Sequence, residues 1–170
     1  MVIPSMKKAG FIVGGRYGRG FATCRTQAVW SAPAPVFLGG GSYGLQIGGE
    51  GVDLIIVVMD DKGVQHLLSS KFEIGVDASA AAGPVGRDAS AGTDWKLNSE
   101  MLSYSRAKGL FAGVELNGAK IRQDDDTTKQ LYGQVIPFKD ILSGSVPTPP
   151  DARDFIVEVQ RDFREARASK

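Results

Sequence analysis

The sequence predicts an α+β fold, a mostly antiparallel, barrel-like β-sheet with short helices and a C-terminal amphipathic helix. Three observations predict it. Apolar residues recur mostly with a period of two, in short runs bounded by glycine, proline, asparagine and aspartate. Helix-period segments are few and do not alternate regularly with the strands, unlike a chain of βαβ units. At 170 residues, 42% hydrophobic and 23% charged, the chain fits one domain long enough to bury a core without staples.

The elements follow in order. Phe11-Ile12-Val13 and the glycine-rich stretch 14–25 read as strand, bend and strand, since glycine inside a strand marks a bulge or a close backbone approach. Trp30-Ser31-Ala32-Pro33-Ala34-Pro35 reads as an edge or turn, because proline cannot donate to a central ladder. Val36-Phe37-Leu38 and residues 43–47 make short strands around Gly39-Gly40-Gly41, and residues 52–59 make the most buried strand. Asp60 or Asp61 caps a short helix carrying Val64, Leu67 and Leu68 on one face. Phe72, Ile74, Val76, Ala78 and Ala80 alternate with Glu73, Gly75, Asp77 and Ser79, a half-buried strand.

Residues 81–93 are small and turn-rich and read as a loop. Residues 101–106 and 109–116 are strands, and Asn117-Gly118 is a hairpin turn into 119–122. Asp124-Asp125-Asp126 opens a helical turn through Leu131 and Tyr132. Residues 147–150, Pro-Thr-Pro-Pro, form a stiff linker from a domain at 1–146 to a terminal helix at 151–170 that packs on that same domain. Asp151 is its expected N-cap, and Phe155, Ile156, Val159, Phe163 and Ala166 form its apolar stripe.

Charge is divided unevenly. Every charged residue among the first 49 is basic, namely Lys7, Lys8, Arg16, Arg19 and Arg25, whereas the remainder holds 15 basic and 19 acidic residues. Cations interleaved with glycine leave backbone amides beside positive charge, which suits a phosphate or an anionic headgroup. Spacing alone favours the plainer alternative of solvated, twisted strands that are basic. Cys24 and His66 are the sole cysteine and histidine, which excludes an intrachain disulfide, four-cysteine zinc sites and mechanisms needing two imidazoles. No run reaches the ~18 apolar residues of a membrane-spanning helix. The opening residues lack the pattern of a signal peptide, and the abrupt entry into strand pattern suggests that upstream residues are missing.

Several motifs match by pattern and fail by context. Gly40-Gly41-Ser42-Tyr43-Gly44 fits the hydrolase nucleophile elbow, with Asp53 and His66 following in order. The glycine-rich residues after Ser42 do not suit the helix such an elbow needs. Gly39 to Gly44 also fits a dinucleotide fingerprint, but opens a strand pattern rather than a helix. Asp124-Asp125-Asp126 reads as a helix cap before a calcium loop, which would also require its glycine and distal glutamate. Phe11, Tyr17 and Phe21 lie among the arginines as stacking platforms do, yet sit at strand spacing compatible with a core, and no nucleic acid is expected.

The chain resembles the SYLF lipid-binding domain family, found in bacterial exported proteins and in eukaryotic SH3-linked, actin-associated proteins. The resemblance rests on Ile3-Pro4-Ser5, Gly14-Gly15-Arg16-Tyr17-Gly18-Arg19-Gly20, Trp30-Ser31-Ala32-Pro33 and the stretch 40–49. It continues through Ala82-Gly83-Pro84-Val85-Gly86-Arg87, Ser103-Tyr104-Ser105-Arg106 and Gly109-Leu110-Phe111-Ala112-Gly113, covering about residues 2–133. It implies a bacterial-type member without the usual N-terminal extension, no enzymatic activity and no cofactor. It implies a domain that binds anionic, phosphoinositide-like headgroups at a membrane surface, with Lys7, Lys8, Arg16, Arg19 and Arg25 as the cationic surface. An exported or periplasmic, peripherally membrane-associated location is implied by the resemblance alone. The alternative is a protein-interaction or envelope-structural module with an actin-like or other protein partner, and the third reading is a serine hydrolase at Ser42.

Overall fold

Main-chain ladders, more than side-chain alternation, set the longest strands of this chain. A computed structural model describes residues 1–10, 13–27, 29–43, 51–85, 98–107 and 109–168. The strands are β1 (Val2–Gly10), β2 (Val13–Ala22), β3 (Ala34–Tyr43), β4 (Val52–Val58), β5 (Lys71–Glu73), β6 (Ala80–Ala82), β7 (Met101–Ala107), β8 (Leu110–Gly113) and β9 (Ala119–Gln123). They form one curled half-barrel sheet in the order β5-β9-β3-β2-β1-β4-β7-β6, with β8 also on β7. All pairings are antiparallel except β6 with β7. The outer edge of β7 is thus shared, its first half by β6 and its second half by β8. The expected α+β class, with a largely antiparallel, barrel-like sheet, is the fold observed.

The helices are α1 (Asp61–Leu68), α2 (Asp125–Tyr132), α3 (Phe138–Leu142) and α4 (Arg153–Ala168). Asp60 caps α1 by accepting from the Gly63 amide, and Asp124 caps α2 by accepting from that of Thr127. Ile3, Met6, Val36, Leu38, Leu54, Ile56, Met101 and Ile121, at 0–1% exposure, line the inward face of the sheet. Leu67 of α1 and Phe138, Ile141 and Leu142 of α3 belong to the same core.

Several expectations differ from the structure. Residues 14–22, read as strand, bend and strand, lie in the single strand β2. Ala34 and Pro35, read as edge or turn, open the central strand β3, and Ala81 and Ala82, read as loop, belong to β6. The first of the two short strands expected around Gly39-Gly40-Gly41 continues through the glycines to Tyr43 as β3, whose ten residues all pair with β2. Ladder hydrogen bonds hold the glycines although they offer no side chains. Residues 44–47 lie outside the described residues. The strand expected over 72–80 breaks at Gly75, at φ +89, with the Asp77 carboxylate accepting from the Glu73 amide at 2.8 Å and Val76 left in solvent. Asn117-Gly118 does not close a hairpin between β8 and β9. β8 folds back on β7, and the turn, closed by Ala119 N–H to Leu116 O at 2.9 Å, sends β9 to β3 and β5.

Residues 52–58 form a half-buried rather than the most buried strand, since Leu54 and Ile56 are buried while Val57 is 42% exposed. The terminal helix begins after a 3-10 turn at Pro150–Ala152, which holds Asp151. Ile156 of α4 is buried, Phe155 meets Phe21 of β2 at 5.8 Å between ring centroids, and Phe163 meets Trp30 edge-on at 5.6 Å.

Candidate functional site

The outward face of β1, β2, β3, β9 and β5 carries two cross-strand rows of side chains, fixed by register and by the alternation of strand residues between faces. One row runs Lys7, Tyr17, Gly39, Lys120, Glu73. The next runs Arg19, Phe37, Arg122, Lys71. Five cations and one carboxylate therefore share this face. Glu73 is held by Lys120 Nζ at 3.4 Å, and the Arg122 guanidinium lies 4.6 Å from the centre of the Phe37 ring. Arg19 Nε reaches Asp124 Oδ2 at 3.1 Å, so the carboxylate that caps α2 also anchors one end of the second row. Beside the rows lies a groove of about 490 Å³, whose lining includes Phe37, Gly41, Lys71, Glu73, Lys120 and Arg122.

The five cations expected from the sequence do not form one patch. Lys7 and Arg19 stand on this face, exposed to solvent. Lys8 pairs in register with Arg16 on the alternate positions, and its side chain lies outside the described residues. Arg16 is 8% exposed and turns to the opposite face, where Nη1 donates to Glu115 O at 3.3 Å and Nη2 to Asn117 O at 2.5 Å. Burial lowers its pKa, and its Nε has no hydrogen-bond partner. Arg25 lies beyond β2, with its guanidinium 5.0 Å from the centre of the Phe163 ring of α4.

The sequence reading missed Lys71, Lys120 and Arg122. The available signal was the alternation Lys120-Ile121-Arg122 and Lys71-Phe72-Glu73, apolar inward and charged outward. Nothing local said that these two strands flank β3.

The motifs behind the resemblance are largely packing devices. Gly40 faces inward under the 115–118 turn, where a Cβ would lie 2.5 Å from Gly118 O, so only glycine lets that turn sit on the sheet. The Tyr104 ring occupies the space a side chain at Gly83 would need. Ser103 Oγ donates to Val114 O at 2.6 Å, and Ser31 Oγ accepts from the Cys24 amide at 3.0 Å. The Tyr132 hydroxyl donates to Pro33 O at 2.8 Å, and burial pushes its pKa up to about 12. Burial likewise pushes the Cys24 thiol up.

The hydrolase residues are placed separately. Ser42 lies inside β3, opposite Gly14, Asp53 Oδ1 accepts from the Ser5 amide at 3.0 Å, and His66 Nε2 lies 3.6 Å from Glu100 Oε2. Asp124 is committed to Thr127 and Arg19. Among the described residues no cluster of His, Cys, Asp and Glu has metal-holding geometry, and no described helix is long and apolar enough to cross a membrane.

Comparison with known proteins adds to this geometry. A family model described as Ysc84, Las17-binding protein actin regulator, matches residues 39–161. An SH3 domain-containing protein of Schizosaccharomyces pombe is 40% identical over 156 residues, 89% of this chain and 36% of that protein. Human SH3 domain-containing YSC84-like protein 1 is 33% identical over 167 residues, 97% of this chain and 48% of that protein. Protein YSC84 of Saccharomyces cerevisiae is 33% identical over 156 residues, 89% of this chain and 33% of that protein. No solved structure matches the chain. The chain thus spans about a third to a half of the length of these relatives. On the match across most of its length and on these relatives, the chain belongs to the Ysc84 family, the SYLF family its motifs resemble.

Proposed function

We propose that this chain is a non-enzymatic protein-interaction module whose partner is an actin filament or an actin-regulating protein. The observation that carries this reading is the cationic outer face, where Lys7, Arg19, Lys71, Lys120 and Arg122 stand in two rows beside one carboxylate. The description of the matching family model, which speaks of actin regulation and Las17 binding, supplies the class of partner. A predominantly cationic face raises the encounter rate with an acidic surface and selects against basic ones. Co-sedimentation with actin filaments tests it: the native chain pellets with filaments, and Lys120→Glu with Arg122→Glu stays in the supernatant. Equal pelleting of both proteins would remove this face from the interaction.

A second reading keeps the anionic headgroup as ligand, because Lys7 and Arg19 stand on that same open face and Arg25, beyond the end of β2, is also exposed. Arg16, turned inward, has no part in it. Each cation near an anionic leaflet contributes about 1 kcal/mol, fading within a Debye length, so binding is weak and salt-sensitive. Equal co-sedimentation with neutral and anionic vesicles would reject this reading.

A further inference from the structure

The groove beside β3 has a shape and a charge pattern that specify its occupant more closely. Its floor is open main chain at Gly41, where an added Cβ would meet nothing within 4 Å, so another chain can approach the sheet closely there, while the Phe37 ring covers Gly39. One wall is Lys120 and Arg122, alternate residues of β9, which stand roughly 6.6 Å apart along the strand. Alternate side chains of an extended peptide have that same spacing, whereas a single compact anion would need donors converging on one point. Lys71 stands across from Arg122 and extends the positive wall. The one acid on the rim, Glu73, is neutralised by Lys120. Phe37 leans over Gly39, and with Tyr17, which is 50% exposed, it offers an apolar step beside the cations.

From this geometry we infer that the groove binds an extended acidic segment of a protein partner, with carboxylates at alternate positions facing Lys120 and Arg122 and an apolar side chain over Phe37. This rests on the protein-interaction reading and names its surface and the chemistry of its ligand.

Fluorescence anisotropy with a labelled peptide of roughly ten residues, glutamate at alternate positions around one phenylalanine, tests it. Two variants are compared with the native chain. Gly41→Val fills the floor at a position where an added Cβ meets nothing within 4 Å. Lys120→Gln with Arg122→Gln removes the wall charges and leaves the floor open. The native chain binds the peptide more weakly as salt rises, and both variants bind it about ten-fold more weakly at unchanged thermal midpoint. A peptide with lysine in place of glutamate does not bind.

Absence of native binding, or native-like binding by both variants, would overturn the assignment. Displacement of the peptide by inorganic phosphate, or by phosphatidylserine-containing vesicles, at lower concentration than unlabelled peptide would also overturn it, in favour of a phosphate ligand. If filaments pellet the native chain and both groove variants alike, the groove assignment falls and the interaction reading stands. If filaments fail to pellet the native chain, the actin reading falls whatever the peptide does.

Discussion

Arg16 and Arg19 lie on the same strand and meet opposite fates. Arg19 faces out, and its exposed guanidinium reaches a buried carboxylate. Arg16 faces in and ties the 115–118 turn to the sheet through two carbonyls. Removing Arg16 leaves those carbonyls without their donor, whereas removing Arg19, whose guanidinium lies in solvent, leaves Asp124 with its two hydrogen bonds from Thr127. Arg16→Met is expected to lower unfolding free energy by about 2–3 kcal/mol, and Arg19→Met by less than about 1 kcal/mol, both read from urea denaturation. Equal losses would contradict the structural role of Arg16.

Tyr132 gives a pH-dependent consequence at the same scale. Its folded-state pKa is raised to about 12 from an ordinary value of 10.0, by burial. The unfolded chain therefore releases this proton before the folded one does, so the contribution is complete below pH 10 and is lost as pH rises toward 12. Tyr132→Phe lacks this group, and its stability should fall less steeply across that window than the native protein's. Parallel pH profiles would mean that the hydroxyl does not govern the alkaline limb.

At the scale of elements, β3 is the organiser. It pairs with β2 along its whole length and with β9 over half of it, and its glycines serve opposite purposes on the two faces. Gly40 makes room inward for the 115–118 turn, and Gly41 leaves the outward floor open. Gly40→Ala is expected to cost about 1–3 kcal/mol by overpacking. Gly41→Ala is expected to be neutral or stabilising by up to about 1 kcal/mol, because glycine is a poor strand residue. Thermal unfolding of the two variants separates these outcomes, and equal midpoints would refute the asymmetry.

Helix α4 is held differently, by aromatic contacts of Phe155 and Phe163 and by Ile156, its one buried residue. Arg25 and Arg167 both lie over the Phe163 ring. Phe163→Ala should therefore open α4 locally without unfolding the sheet, seen as faster amide exchange at 153–168 with protection of β2 and β3 retained. Loss of protection in both regions would show that the helix and sheet unfold as one unit.

For the whole molecule, the division of charge along the chain is not the division of charge in space. The acid-free opening segment supplies Lys7 and Arg19 to the outer face, but Arg16 to the interior and Arg25 to the contact with α4. Three further cations come from β5 and β9, segments from the acidic remainder of the chain. Binding carried by such a face weakens steadily with ionic strength, as exposed charges are screened. Partner binding that is unchanged between low and high salt would place the interaction on an apolar surface instead.

How much of this was legible follows from range. Asp60 and Asp124 announce helices α1 and α2, because a cap acts within one turn of its helix. Alternation announced β7, and β9 was expected only as the far arm of a hairpin that does not form; alternation also overran at Gly75, where a turn keeps Ile74 and Ala78 inward and strands Val76 in solvent. Phe138, Ile141 and Leu142 gave too short a pattern to announce α3, a single helical turn that is stable only because the core covers it.

The sequence by itself determined the α+β class, the caps of α1 and α2 and the family, all of which rest on local chemistry or on ordered motifs. Only the tertiary structure decided which strands are neighbours. It therefore decided that Lys71, Lys120 and Arg122 stand beside Lys7 and Arg19 while Arg16 does not. Register assigns each side chain to a face, and a shift by one residue would exchange the two faces. That assignment depends on hydrogen bonds between segments far apart in the chain, which no local pattern encodes.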